Sequence, residues 1–231
     1  MKIIGILFIS LLLLSTTSIA QEDENWASRD YSIKDFSEIY LHGGYKVFLQ
    51  QGNKPALTVK TNNSDIFDNL EVKSWGDELS LVMKDDFITY KRIRLYITFT
   101  ELEAIKAEGG LKLDSDGYLD LNDLLIHVEG GATVDMQLKA DDVKVIGEGG
   151  VLVDLEGVAN NLMVKLSGAG HVDADELKTE EADIEIEGVG TASVYATDRL
   201  NAQIEGVGKV SYKGNPRVTQ NIEGLGAVSR K

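Results

Sequence analysis

The chain has no cysteine and only three histidines, His42, His127 and His171, in 231 residues. Without thiols there is no disulfide framework, so the fold rests on its own core and hydrogen bonds. A lipid-modified N-terminus of the bacterial lipoprotein kind is excluded as well. The histidines form no His-x-x-x-His pair, and His127 and His171 fall at different points of the pattern described below. They read as structural residues rather than as converging zinc ligands. No Gly-x-Ser-x-Gly elbow is present, so a serine hydrolase has no foothold. Basic residues are few: 23 Lys and Arg stand against 38 Asp and Glu. That balance disfavours nucleic acid and anionic membrane surfaces, both of which recruit cations.

One long apolar run occurs, Ile3 to Leu14, behind Lys2 and ahead of Ser18-Ile19-Ala20. It is too short for a membrane span and has the flanks of a secretory signal. Residues 1–20 are therefore expected to be removed between Ala20 and Gln21. The mature chain then has no segment able to cross a bilayer as a helix. Losing Lys2 leaves 22 basic residues, one fewer than the 23 of the whole chain, and a net charge of −16.

What the chain has is a repeat. Seven copies carry an acidic or polar residue followed by glycine, at Glu108, Glu129, Glu148, Ser167, Glu187, Glu205 and Glu223. The steps between them are 21, 19, 19, 20, 18 and 18 residues. Taking this residue as position zero, position +5 is always apolar: Leu113, Val134, Val153, Val172, Ala192, Val210, Val228. Position +6 is always polar: Asp114, Asp135, Asp154, Asp173, then Ser193, Ser211 and Ser229. Position −1 is apolar or glycine. Alternation with a period of two on both sides of a glycine corner is the pattern of half-buried strands.

A unit of about 19 residues is too short for a helix pair, and the leucines and Asn of a leucine-rich repeat are missing. The fold expected is all-β: a right-handed parallel β-solenoid in which each strand pairs with its counterpart one coil away. At about 4.8 Å per coil, seven coils make a rod roughly 34 Å long. A sandwich of antiparallel hairpins is the competing architecture. Pairs such as Asp141-Asp142 and Asn160-Asn161 suit further corners.

The segment before the repeats is less regular. After a lead-in over 21–35, residues 36–104 form an N-terminal β region expected to cap the solenoid of 105–231, since stacked strands need covered ends. His42-Gly43-Gly44 marks an eighth, divergent copy. Strands are expected at Asn69–Trp75, Ala56–Thr61, Leu79–Met83 and Ile93–Thr98, with one helical turn at Phe67–Leu70. Trp26, Tyr40, Tyr45, Trp75, Tyr90 and Tyr96 gather here, either as the core of the cap or as a surface on which sugars or a protein could stack. The last coil, ending in Arg230 and Lys231, is an edge and a candidate surface for a homo-oligomer.

The order Phe36-x-x-Ile39-x-Leu41-x-Gly43, Val47-x-Leu49-Gln50-Gln51-Gly52, Leu70-x-Val72, Gly76-x-x-Leu79-x-Leu81 and Leu102-x-x-Ile105, leading into the glycine repeats, resembles the exported bacterial family of head GIN domain auto-transporter adhesins. The resemblance runs from about Phe36 to the C-terminus. It implies a β-solenoid, an adhesin-like role, and placement in the periplasm or at the surface of a Gram-negative bacterium. It brings no catalytic residues.

The acidic columns are the remaining chemistry. Equal offsets stack in a solenoid, and carboxylates about 5 Å apart repel by roughly 1 kcal/mol in water. Asp114, Asp135, Asp154 and Asp173 are therefore candidate Ca²⁺ ligands, or else a solvated face that discourages aggregation. No RTX-type nonapeptide supports the calcium reading, so no cofactor is expected otherwise. Asp135 with Asp154, or Asp154 with Asp173, also has the look of a glycosidase pair. These acids obey the repeat, whereas a catalytic site breaks its pattern. The expectation is thus a non-enzymatic, adhesin-like module binding a polysaccharide or an envelope protein. A carbohydrate-active enzyme and a purely structural envelope protein are the alternatives.

Overall fold

The computed structural model describes residues 26–84 and 93–231. The signal segment, its Ala20/Gln21 junction and Tyr90 lie outside the described residues. The elements in order are β1 (Ala27–Tyr31), β2 (Glu38–Gln51), β3 (Ala56–Thr61), α1 (Ile66–Asn69), β4 (Leu70–Trp75), β5 (Glu78–Met83), β6 (Ile93–Phe99), β7 (Ala104–Asp120), β8 (Asp123–Lys213) and β9 (Arg217–Arg230). The strands expected before the repeats all form, with ends shifted by a residue. The lead-in adds β1, which lacked a clear alternating pattern and is exposed along most of its length.

All nine strands belong to one sheet, in the order β1-β3-β6-β2-β7-β8-β9, with β5 beside β2 and β4 beside β5. The pairing divides into two regimes. Before the repeats it is mixed: β3 runs antiparallel to β1 and β6, and β4 antiparallel to β5. In the repeats it is parallel and in register, with one shift between Asp114 and Tyr118. Glu108 lies opposite Glu129 and Asp114 opposite Asp135; Glu205 lies opposite Glu223 and Ser211 opposite Ser229. The divergent copy joins the same scheme, His42-Gly43-Gly44 opposite Glu108-Gly109-Gly110. Pairing of this kind is not the hairpin ladder that a sandwich of antiparallel repeats requires.

β8 spans 91 residues. Drawn out straight it would measure roughly 300 Å. Instead successive copies come together at the glycine at +1. At Gly149 φ is +121°, and a Cβ there would lie 2.3 Å from the carbonyl oxygen of Gly130, the same position one copy earlier. Only a residue without a Cβ allows that backbone approach with that dihedral.

The alternation resolves as expected into inside and outside. Val128, Leu166, Ile186 and Ile204 at −1 are buried, as are Leu113, Val134, Val153, Val172, Ala192 and Val210 at +5. These side chains join the N-terminal residues Ile39, Leu41, Leu81 and Leu95 in a single apolar core. Burying a side chain of this size stabilises the fold by about 1.5–3 kcal/mol each. At β9 the core runs out: Ile222 and Val228 pack against it but are only partly buried.

Candidate functional site

Three features stand on the outer surface, each made by one offset of the repeat. The first is the aspartate column at +6. Asp114 pairs with Lys46 at 3.3 Å and approaches Lys112 at 4.0 Å. Asp154, further along, feels its neighbours without such relief. Its carboxyl is raised above the ordinary aspartate value, first by desolvation and then by the charges of Asp173 and Asp135. From Ser193 onward the column turns to serine, and Ser193 and Ser211 hydroxyls hydrogen bond at 3.1 Å. The four candidate calcium ligands therefore line one column. Among the described residues they do not form a three-ligand cluster.

The second feature is the column at position zero, where the stacked glutamates are relieved in pairs. Tyr40 donates its hydroxyl to Glu108 at 3.0 Å, and His42 lies 3.6 Å from the same carboxylate. Lys165 bridges Glu185 at 2.8 Å and Glu187 at 3.1 Å, while Ser167 donates to Glu187 at 3.0 Å. Lys165 and Ser167 hold the Glu187 carboxyl below the usual glutamate range. Between these two groups sits His127. Its Nε2 is 3.8 Å from Glu129 and 3.5 Å from Glu148. The three form the one His/Asp/Glu cluster among the described residues whose ligand atoms lie within 4.8 Å of one another. Spacing along the chain hides this, because Glu148 belongs to the next copy. The available signal was His-x-Glu followed by a glutamate in register.

The third feature lies at +2, between the glycines. Gly110, Gly131 and Gly150 give way to Ala169, Val189, Val207 and Leu225. Val207 is in register with Leu225. Val189, Val207 and Leu225 are exposed, at 59%, 49% and 75%. Val189 and Val207, with Leu152, His171 and Thr191, border an open, largely apolar groove of about 720 Å³ along the glycine edge, and Leu225 continues the row beyond it. Sequence reasoning missed this row, although an outward position that becomes aliphatic over the last four copies was there to be read.

The N-terminal aromatics do not gather into one site. Tyr45 is buried, its hydroxyl donating to the His42 carbonyl at 2.8 Å, and burial pushes its pKa up. Tyr96 stacks on Phe48 with centroids 4.8 Å apart. Arg94 lies over Trp26, and Trp75 is exposed at a turn.

The family model for "Putative auto-transporter adhesin, head GIN domain" matches residues 35–216. The chain belongs to this family. The match takes in the N-terminal strands from β2 onward and all but the last of the glycine repeats. Solved structures agree. A "putative adhesin" from Bacteroides fragilis is 25% identical with a TM-score of 0.84, covering 90% of this chain and 98% of its own. A "putative lipid binding protein" from Parabacteroides distasonis is 21% identical, TM-score 0.63, covering 90% and 98%. A "putative adhesin" from Parabacteroides merdae is 20% identical, TM-score 0.61, covering 90% and 97%. The last two share the fold. Among curated proteins there is no match. No helix among the described residues is long and apolar enough to cross a membrane.

Proposed function

We propose that this head GIN domain protein is an exported, non-catalytic adhesin-type module that grips a partner along its glycine edge. The observation that carries this reading is the exposed row Val189, Val207 and Leu225 beside the groove. Monomeric proteins seldom leave contiguous apolar strips uncovered, and such strips mark interaction surfaces. The aliphatic lining favours a protein partner, whose apolar side chains can fill it, over a polysaccharide. Register-locked parallel pairing supports a right-handed β-solenoid over 105–231 that presents this row at a fixed pitch. Residues 36–104 then act as its N-terminal cap. The apolar run of the first 20 residues supports export to the periplasm or the cell surface. The adhesin descriptions of the family and of its solved relatives weigh against a carbohydrate-active enzyme.

The test uses the mature chain, Gln21 to Lys231, and a Val189→Asp/Val207→Asp double variant. Both are incubated with purified polysaccharides and scored for retention and product release. In parallel, a photo-crosslinking residue at Leu225 is used on intact cells. A crosslinked protein adduct that disappears in the double variant is the expected result. Retention of a polysaccharide lost in the variant would move the partner to a glycan. Release of oligosaccharides would overturn the non-catalytic reading.

A further inference from the structure

Beside the glutamate column, at one place, stands a nitrogen ligand. His127 and Glu129 belong to one copy and Glu148 to the next, so three donor atoms from two stacked coils face one point. The His127 side chain is 30% exposed overall, yet its Nε2 atom is covered and makes no hydrogen bond. Two carboxylate oxygens stand near it, at 3.5 and 3.8 Å. Those distances are too long for a charge-assisted hydrogen bond of about 2.7–2.9 Å. Leaving a covered polar atom unpaired is costly, and such atoms call for an explanation.

The two separations from the imidazole suit an ion, and all three donor atoms lie within 4.8 Å of one another. With metal–ligand bonds of about 2.0–2.1 Å, tetrahedral donors stand roughly 3.3–3.4 Å apart. The Nε2–oxygen edges exceed this by only a few tenths of an ångström. Both glutamates are 56% exposed and free to close that gap. Two carboxylates balance a divalent charge. The neighbouring cation does not compete: Lys106, in register with His127, is held by Glu38 at 2.6 Å. Glu108, in register with Glu129, is engaged by Tyr40. An imidazole among the donors selects a first-row transition ion over Ca²⁺ or Mg²⁺, which take oxygen.

The geometry points to a divalent transition-metal site, of the Zn²⁺ class, formed by His127, Glu129 and Glu148 and stapling two successive coils. Three protein ligands leave a coordination position toward solvent. Water fills it in the free protein, and a carboxylate or imidazole of a bound partner can replace that water. The site is separate from the groove, and it stands whether or not the groove binds a partner.

The experiment is calorimetric titration of the metal-stripped mature chain with Zn²⁺, repeated on His127→Ala, Glu148→Gln and His171→Ala. One saturable equivalent is expected in the parent and in His171→Ala. Loss of a ligand weakens binding at least as much as loss of a supporting contact, so His127→Ala should lower affinity by about 100-fold or more. Circular dichroism reports whether each variant folds. If His127→Ala does not fold, ¹⁵N resonances of the histidine rings in the parent decide the matter. A Zn²⁺-induced shift at the His127 Nε2 supports the site; a shift confined to His42 or His171 overturns it. Absence of saturable binding, or unchanged affinity in a folded His127→Ala, also overturns it.

Discussion

Replacing Gly149 by alanine tests the stacked corner directly, because Gly150 beside it is a matched control. At Gly149 φ is +121° and an added Cβ would sit 2.3 Å from the Gly130 carbonyl oxygen. At Gly150 the same atom meets nothing within 4 Å, and φ lies outside the left-handed region. A non-glycine residue at such a φ costs about 1–2 kcal/mol. Relieving the overlap requires the two neighbouring copies to part by about 1 Å, which adds about 1–3 kcal/mol as overpacking strain does. Gly149→Ala should therefore lose about 2–5 kcal/mol, a fall of roughly 4–20 °C in Tm for a domain of this size. Gly150→Ala should lie between no change and a gain of about 1 kcal/mol, since alanine restricts the unfolded chain. Urea unfolding of the mature protein followed by far-ultraviolet circular dichroism measures both. Equal midpoints for the two variants would refute the close approach of Gly149 to Gly130 at this corner.

Other outcomes follow from charge. The Asp154 carboxyl is raised by desolvation and by Asp173 and Asp135. The folded chain thus holds that proton more tightly than the unfolded one, and stability is lost as pH rises from the ordinary aspartate value through the raised one. Asp154→Asn should be more stable at neutral pH by about 0.5 kcal/mol, a small figure because the site is exposed, with the gain vanishing in acid; pH-dependent urea midpoints measure it. Asp175 behaves oppositely, because Lys213 and Lys231 hold its carboxyl below the ordinary range. Asp175→Asn should cost about 1 kcal/mol above that range, and the penalty should fade as pH falls through the lowered value. Val207→Asp, on an exposed position, should leave the urea midpoint within about 0.5 kcal/mol of the parent while abolishing crosslinking at the groove. Mass spectrometry of the exported protein should find Gln21 as the first residue.

The interplay of local and distant signals explains which features were legible. The strands around Leu57, Leu81 and Leu95 alternate strongly, and the expected bounds agree with β3, β5 and β6 almost residue for residue. β1 was not expected, because its pattern is exposed at Ser28, Arg29 and Asp30 and it is held by pairing with β3. The acidic columns were legible as columns because the repeat carries the same residue type at one offset. How their repulsion is relieved was not: Tyr40 and Glu108, or Lys165 and Glu187, are 68 and 22 residues apart.

By itself, then, the amino-acid order determined the all-β character, the length of the repeat and which residues face inward. Alternation and glycine corners act between chain neighbours and need no distant partner. The tertiary structure alone decided that the copies pair in parallel and in register. It also brought His127 to the glutamate of the following copy and joined Val189, Val207 and Leu225 into one apolar row. Those contacts depend on how closely one copy meets the next, a distance set by parallel strand pairing between residues 18 to 21 positions apart.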